Sequence, residues 1–363
     1  MWVADTDFKA PKEVINAIVE KAKFGIYGYP RAKGESFDTA VIDWIFKRHG
    51  WRLKKEWIVT TAGVVPAITY AIQALTKVGE GVIIQPPVYY PFKRTIDKNK
   101  RKVVENHLRF DHDINNYQID FEDLESKIKD GNNKLLILCN PHNPIGRVWS
   151  EEDLRRIGEL CSNNDVIIFS DEIHSDLIYK GYNHTPVSSL DEKFNQNTIT
   201  AYSASKTFNL AGLQTAAMII PNKKIRLRYT TQLELNSVGN INIFGTIAME
   251  AAYKHGEEYL RELLEYVQAN IDYALEYTEK NLRGVKLIKP QGTYLVWFNF
   301  RGTGLTADQI DSLVIEKAKV SADLGRWFGK DGAGFLRFNF ACHRSTLVKA
   351  LEQIKAAIDK LSF

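Results

Sequence analysis

The sequence predicts an α/β chain: a large domain on a mostly parallel sheet flanked by helices, joined by a smaller α+β domain. Three observations lead there. Short apolar runs alternate with amphipathic helical stretches through the middle of the chain, as strand–helix–strand units do. Beyond about residue 255 that alternation gives way to long helices and strands of alternating character. The chain has 363 residues, 44% hydrophobic and 25% charged, an ordinary globular make-up with length enough for two domains.

Taken in order, PKEVINAIVEKAKFG (11–25) reads as a helix with an early proline and a terminal glycine. WIVT (57–60) is a strand, and the TTAGVVPAI that follows opens a helix. EGVIIQPP (80–87), KLLILCNP (134–141), DVIIFSDE (165–172), TITAYSAS (198–205) and TAAMIIP (215–221) are buried strands. FEDLESKIKDG (121–131) and EEDLRRIGELCSNN (151–164) carry helical spacing and polar faces. A long helix over 256–282 then leads into VKLIKP and GTYLVWFNF (292–300). Another helix, GFLRFNFAC (334–342) and a closing helix complete the chain. We therefore expect a large domain over 29–255, with 1–28 and 256–363 together forming the small one.

Composition excludes several functions. The net charge of +4 is too weak for a nucleic-acid binder, and KRTIDKNKRK (93–102) reads as a solvated helix face and turn. Cys139, Cys161 and Cys342 lie far apart with no CxxC spacing. That pattern fits neither a disulfide framework nor a zinc site, and it suits a reducing compartment. MWVADTDF has no basic, apolar signal pattern, and no apolar run approaches the ~18 residues of a membrane span. A cytoplasmic location without a metal is the expectation.

In open α/β sheets ligands sit outside the carboxyl ends of the strands. NPHNPIG follows LLILC, DEIH follows VIIFS, and SKTF follows TITAYSA. These ends bring forward Asn140, Asn143, Asp171, His174, Ser203 and Lys206. Singly, each has a plain reading: an asparagine in a proline turn, an aspartate capping a helix, a lysine as a satisfied cation. Three consecutive strand ends projecting chemistry make coincidence a poor account. A desolvated lysine can form a Schiff base with a carbonyl. An aspartate can keep a pyridine nitrogen protonated, making the ring an electron sink, and an asparagine can donate to a ring oxygen. The ligand expected to be common to all three would be pyridoxal 5′-phosphate.

Across nearly its whole length the chain resembles the fold-type I pyridoxal-phosphate enzymes of the class I/II aminotransferase superfamily. More narrowly it resembles the MalY/PatB group of cystathionine β-lyases. The stretches that carry the likeness are WVADTDF, YGYP with Gly34, TAGVVPAI, PPVYYPF, NPHNPIG, SDEIHSDLIY, SASKTFNLAGLQ, GTYLVWF and FLRFNFA. The resemblance implies that Lys206 carries the cofactor covalently, Asp171 pairs with the ring nitrogen and Asn143 bonds the ring oxygen. Tyr89 is implied to stack on the ring, with Tyr90 a neighbour one position away. Val64, Val65 and Ser203 are implied for the phosphate, together with Tyr29 from the other subunit of a homodimer. Arg337, Ala4 and Asn143 are implied for the substrate carboxylate.

Two positions depart from the aminotransferase pattern. Gln214 stands eight residues after the lysine, where many aminotransferases have a phosphate-binding arginine. His174 stands three after Asp171, where they commonly have tyrosine; it serves either as a ring-side donor or as a passive neighbour. Both weigh towards β-elimination, which would cleave L-cystathionine or related cysteine S-conjugates to a thiol, pyruvate and ammonia. The alternative is an aminotransferase acting on an amino acid and a 2-oxo acid. A third reading, an additional regulator-binding role, has no sequence feature behind it.

Overall fold

The computed structural model describes residues 1–28, 34–239 and 241–361. Strands β1 (Ile58–Thr61), β2 (Gly81–Ile84) and β3 (Lys102–Glu105) come first, then a small hairpin, β4 (Arg109–Asp111) and β5 (Asn116–Gln118). With β6 (Asn133–Cys139), β7 (Ile167–Asp171), β8 (Thr198–Tyr202) and β9 (Ala216–Ile219), the first three complete a seven-stranded sheet. Its order is β1-β9-β8-β7-β6-β2-β3. Strand β9 is antiparallel to both neighbours, and the other pairings are parallel. The sheet is thus mostly parallel, with one reversed strand.

The run-like composition of these strands follows from burial on both faces. Residues of β2, β8 and β9 are buried throughout. The helices Val64–Leu75 and Lys223–Leu235 pack their apolar residues with Val82, Ile84, Ile137 and Phe169. The opposite face meets Leu124, Leu154, Ile157 and Cys161 of the helices Phe121–Lys129 and Glu151–Asn163. Ser150 and Asp153 form a capping box that starts the second of these. The basic stretch 93–102 divides between the helix Pro91–Lys98 and the entry to β3.

A second sheet, β10 (Lys286–Ile288), β11 (Leu295–Asn299), β12 (Asp323–Leu324) and β13 (Phe335–Asn339), is antiparallel in the order β10-β11-β13-β12. It shares a core with the helices Glu257–Asn281 and Arg344–Ile358. The first residues run beside the end of β13: Asn339 N–H donates to Met1 O and Asp7 N–H to Ala341 O, both at 2.9 Å. The helix Lys12–Phe24 packs on Ile243–His255. Among the described residues no helix is long and apolar enough to cross a membrane.

Candidate active site

The carboxyl ends of β1, β6, β7 and β8 open on one edge of the large sheet. The reversed β9 begins at that same edge. A cavity of about 210 Å³ lies there, between the sheet and the N-terminal segment. It is lined by Lys206, Asp171, Asn143, Tyr89, Val64, Val65, Ser203, His174 and Ala4. With Gln214, which also lines it, ten of the residues singled out from the sequence meet in one place. Tyr90 is not among the lining residues and packs instead near Trp327 and Phe328. Tyr29 lies outside the described residues. Arg337 stands behind the cavity, its Nη1 donating to Asn143 Oδ1 at 3.0 Å.

Asp171 ends β7, directly between Cys139 and Ala201 on the neighbouring strands. It is buried, and burial pushes its carboxyl up to about 7. The N–H of Ile173, donating to Oδ1 at 3.2 Å, and the nearby Lys206 offset only part of that. Lys206 is also disfavoured as a cation. Burial lowers its pKa and Arg337 adds repulsion, while Asp5 and Asp171 pull the other way. Its Nζ donates to the carbonyl of Ala4 at 2.8 Å, which Tyr294 Oη also reaches at 2.9 Å. Asn209, three residues on, fixes that backbone by bonding Thr6 and Phe8.

The helix Val64–Leu75 starts without a side-chain cap. Its preceding residue, Gly63, has φ +108°, a conformation that L side chains rarely adopt. Pro66 has no N–H, so the amides of Val64 and Val65 are what this helix end offers an anion. Across the cavity, Ser203 Oγ donates to Thr215 O at 2.7 Å and accepts from Ser205 N at 3.2 Å. With its one proton committed, Ser203 must turn away from Thr215 to donate to an incoming group. Burial holds the imidazole of His174 down at about 3, with Lys206 and Arg337 adding to the effect. Its Nδ1 is buried with no partner among the described residues. Burial likewise raises the Tyr89 hydroxyl to about 12.

This donor set suits a flat, phosphorylated, carbonyl-bearing ring: an amine that burial disfavours as a cation, a buried carboxyl in the same cavity, an open helix N-terminus and an orphaned imidazole nitrogen. Cys139, Ser205, Ala211 and Thr215 also line the cavity, and sequence reasoning did not single them out. Ala211 and Thr215 arrive only because β9 runs backwards.

The class I and II aminotransferase family model matches residues 3–354. The chain belongs to that family. It is 43% identical over 358 residues to cystathionine β-lyase PatB of Bacillus subtilis, covering 99% of this chain and 92% of that one. Among solved structures of this family, the cystalysin of Treponema denticola, which contains pyridoxal 5′-phosphate, superposes with a TM-score of 0.97. It is 38% identical, covering 100% of this chain and 91% of that one. The pyridoxal-phosphate-bound C–S lyase of Staphylococcus hominis gives 0.93 at 33% identity, covering 100% and 94%.

Proposed function

We propose that this family member is a pyridoxal-phosphate-dependent C–S β-lyase that cleaves L-cystathionine or related cysteine S-conjugates. The observation that carries the proposal is a buried lysine, disfavoured as a cation by that burial, sharing one cavity with a buried carboxyl and an open helix N-terminus. The 43% identity to a cystathionine β-lyase directs that chemistry towards elimination. When bound, pyridoxal phosphate supplies an aldehyde that joins amines reversibly and a ring that takes up electrons from a broken C–H bond.

The chain's own residues divide the remaining work. Lys206 would hold the cofactor, Asp171 its ring nitrogen, Asn143 its ring oxygen and Tyr89 its face. The amides of Val64 and Val65, with Ser203, would hold its phosphate, and His174 would flank the ring. Arg337 grips the α-carboxylate of the amino acid, helped by Asn143 and the backbone at Ala4. Burial disfavours the cationic form of Lys206, and an amine set free from a carbonyl adduct starts out unprotonated, so Nζ can take the α-proton. The C–S bond then breaks, and the departing sulfur takes a proton from Nζ. Hydrolysis of what remains gives pyruvate and ammonia.

The working form in this proposal is a cytoplasmic homodimer in which Tyr29 of each chain reaches the phosphate site of the other. Phe24, Ile26 and Tyr27, shortly before it, are exposed apolar residues, which suits an interface. The test supplies L-cystathionine to purified holoenzyme with no oxo acid. A lyase releases pyruvate and free thiol over many turnovers. Pyruvate limited to one equivalent refutes the lyase reading, and turnover that demands an oxo acid refutes it in favour of the aminotransferase.

A further inference from the structure

Asp323 in β12 lies directly across from Arg337 in β13. Both side chains are buried, at 1% and 3% exposure. Arg337 Nη2 donates to Asp323 Oδ2 and, at 3.3 Å, to the carbonyl of Trp2, while Nη1 reaches Asn143 Oδ1. The guanidinium carbon stands 5.0 Å from the centre of the Phe328 ring. Arg337 Nε and Asp323 Oδ1 have no partner among the described residues.

A free arginine side chain has four torsions and much entropy to lose. A buried guanidinium also needs a counter-charge, because an unpaired one is strongly disfavoured. Asp323 meets both needs at Nη2, and Asn143, which lines the cavity, holds Nη1. Asp323 does not itself line the cavity.

We propose that Asp323 is a positioning residue for substrate binding: it anchors the Arg337 guanidinium so that its remaining N–H groups face the α-carboxylate. This rests on the reading of Arg337 given under the proposed function. Because Asp323 acts on the carboxylate and not on the α-proton, its loss moves KM and leaves kcat at saturation in place.

The experiment compares holoenzyme carrying Asp323→Ala and Asp323→Asn with the unaltered protein. Asp323→Ala raises KM about tenfold or more with kcat within about twofold, and the visible absorbance of the bound cofactor does not move. Asp323→Asn, whose amide oxygen still accepts from Nη2, recovers most of that loss. Propionate, which has the carboxylate but no amine, supplies a readout without turnover: its binding, followed by ligand-observed NMR, weakens in parallel. An unchanged KM and unchanged propionate binding in Asp323→Ala overturn the proposal. A fall in kcat matching the rise in KM does so too. Should the alanine variant not fold, Asp323→Ser, too short to reach Nη2, carries the same test. Propionate binding that depends on Asp323 in a protein releasing no pyruvate sinks the lyase reading alone.

Discussion

Replacing Asp171 by asparagine should stabilise the cofactor-free protein while disabling the holoenzyme. In the fold the Asp171 carboxyl is raised from 3.8 to about 7, chiefly by burial. A carboxyl raised in this way binds its proton more tightly in the native state than in the unfolded chain. Stability therefore falls as pH rises through the window from about 4 to 7, and the penalty is complete above it. At about 1.4 kcal/mol per pKa unit, the three-unit rise costs roughly 4 kcal/mol at pH 8 and roughly 1.5 kcal/mol at pH 5. Asparagine removes this titration and keeps an oxygen for the Ile173 N–H. Urea unfolding of the cofactor-free proteins should show Asp171→Asn more stable, by about 2–3 kcal/mol more at pH 8 than at pH 5. With cofactor restored, the same variant should lose activity roughly a hundredfold or more, having no negative charge to set against the ring nitrogen. A variant that is neutral or less stable at pH 8, or whose effect does not change with pH, refutes the reasoning.

Three further outcomes follow from the same geometry. Glu172, next along the chain, accepts from Ser170 Oγ at 2.9 Å, Tyr202 Oη at 2.6 Å and His184 Nε2 at 3.0 Å, all buried. Glu172→Ala orphans three groups and should cost roughly 3–5 kcal/mol in a urea melt; a loss under 1 kcal/mol would contradict the network. Gly63→Ala forces a side chain into φ +108°, at roughly 1–3 kcal/mol. It should also weaken cofactor retention in equilibrium dialysis by shifting the Val64 and Val65 amides. Ser203→Ala should weaken cofactor affinity without altering the protonation of Lys206, so its visible pH titration should overlay that of the unaltered protein.

Much of the fold was legible because strands covered on both faces must be apolar throughout, and the runs ending at Cys139, Asp171 and Tyr202 were visible as such. The chemical residues directly after those runs were legible for the same reason: a strand's carboxyl end is where its sequence turns polar. The direction of β9 was not legible, since an apolar run reads alike forwards and backwards. That is why Thr215 and Ala211 reached the cavity unannounced. Asp323 was hidden for a different reason. Its strand is two residues long, too short for any alternation to register, and its partner lies fourteen residues on. The contact of Lys206 with Ala4 involves a backbone carbonyl, which no side-chain pattern encodes; only the family likeness drew notice to that position.

The account turns on Lys206 as both the covalent carrier and the base, and one measurement addresses that most directly. Holoenzyme reduced with borohydride and digested should yield a single pyridoxyl-labelled peptide, with the label on Lys206, close to one per chain. Lys206→Ala should yield none and should lack the yellow absorbance. A label on any other lysine, or absorbance that survives the substitution, would contradict the account.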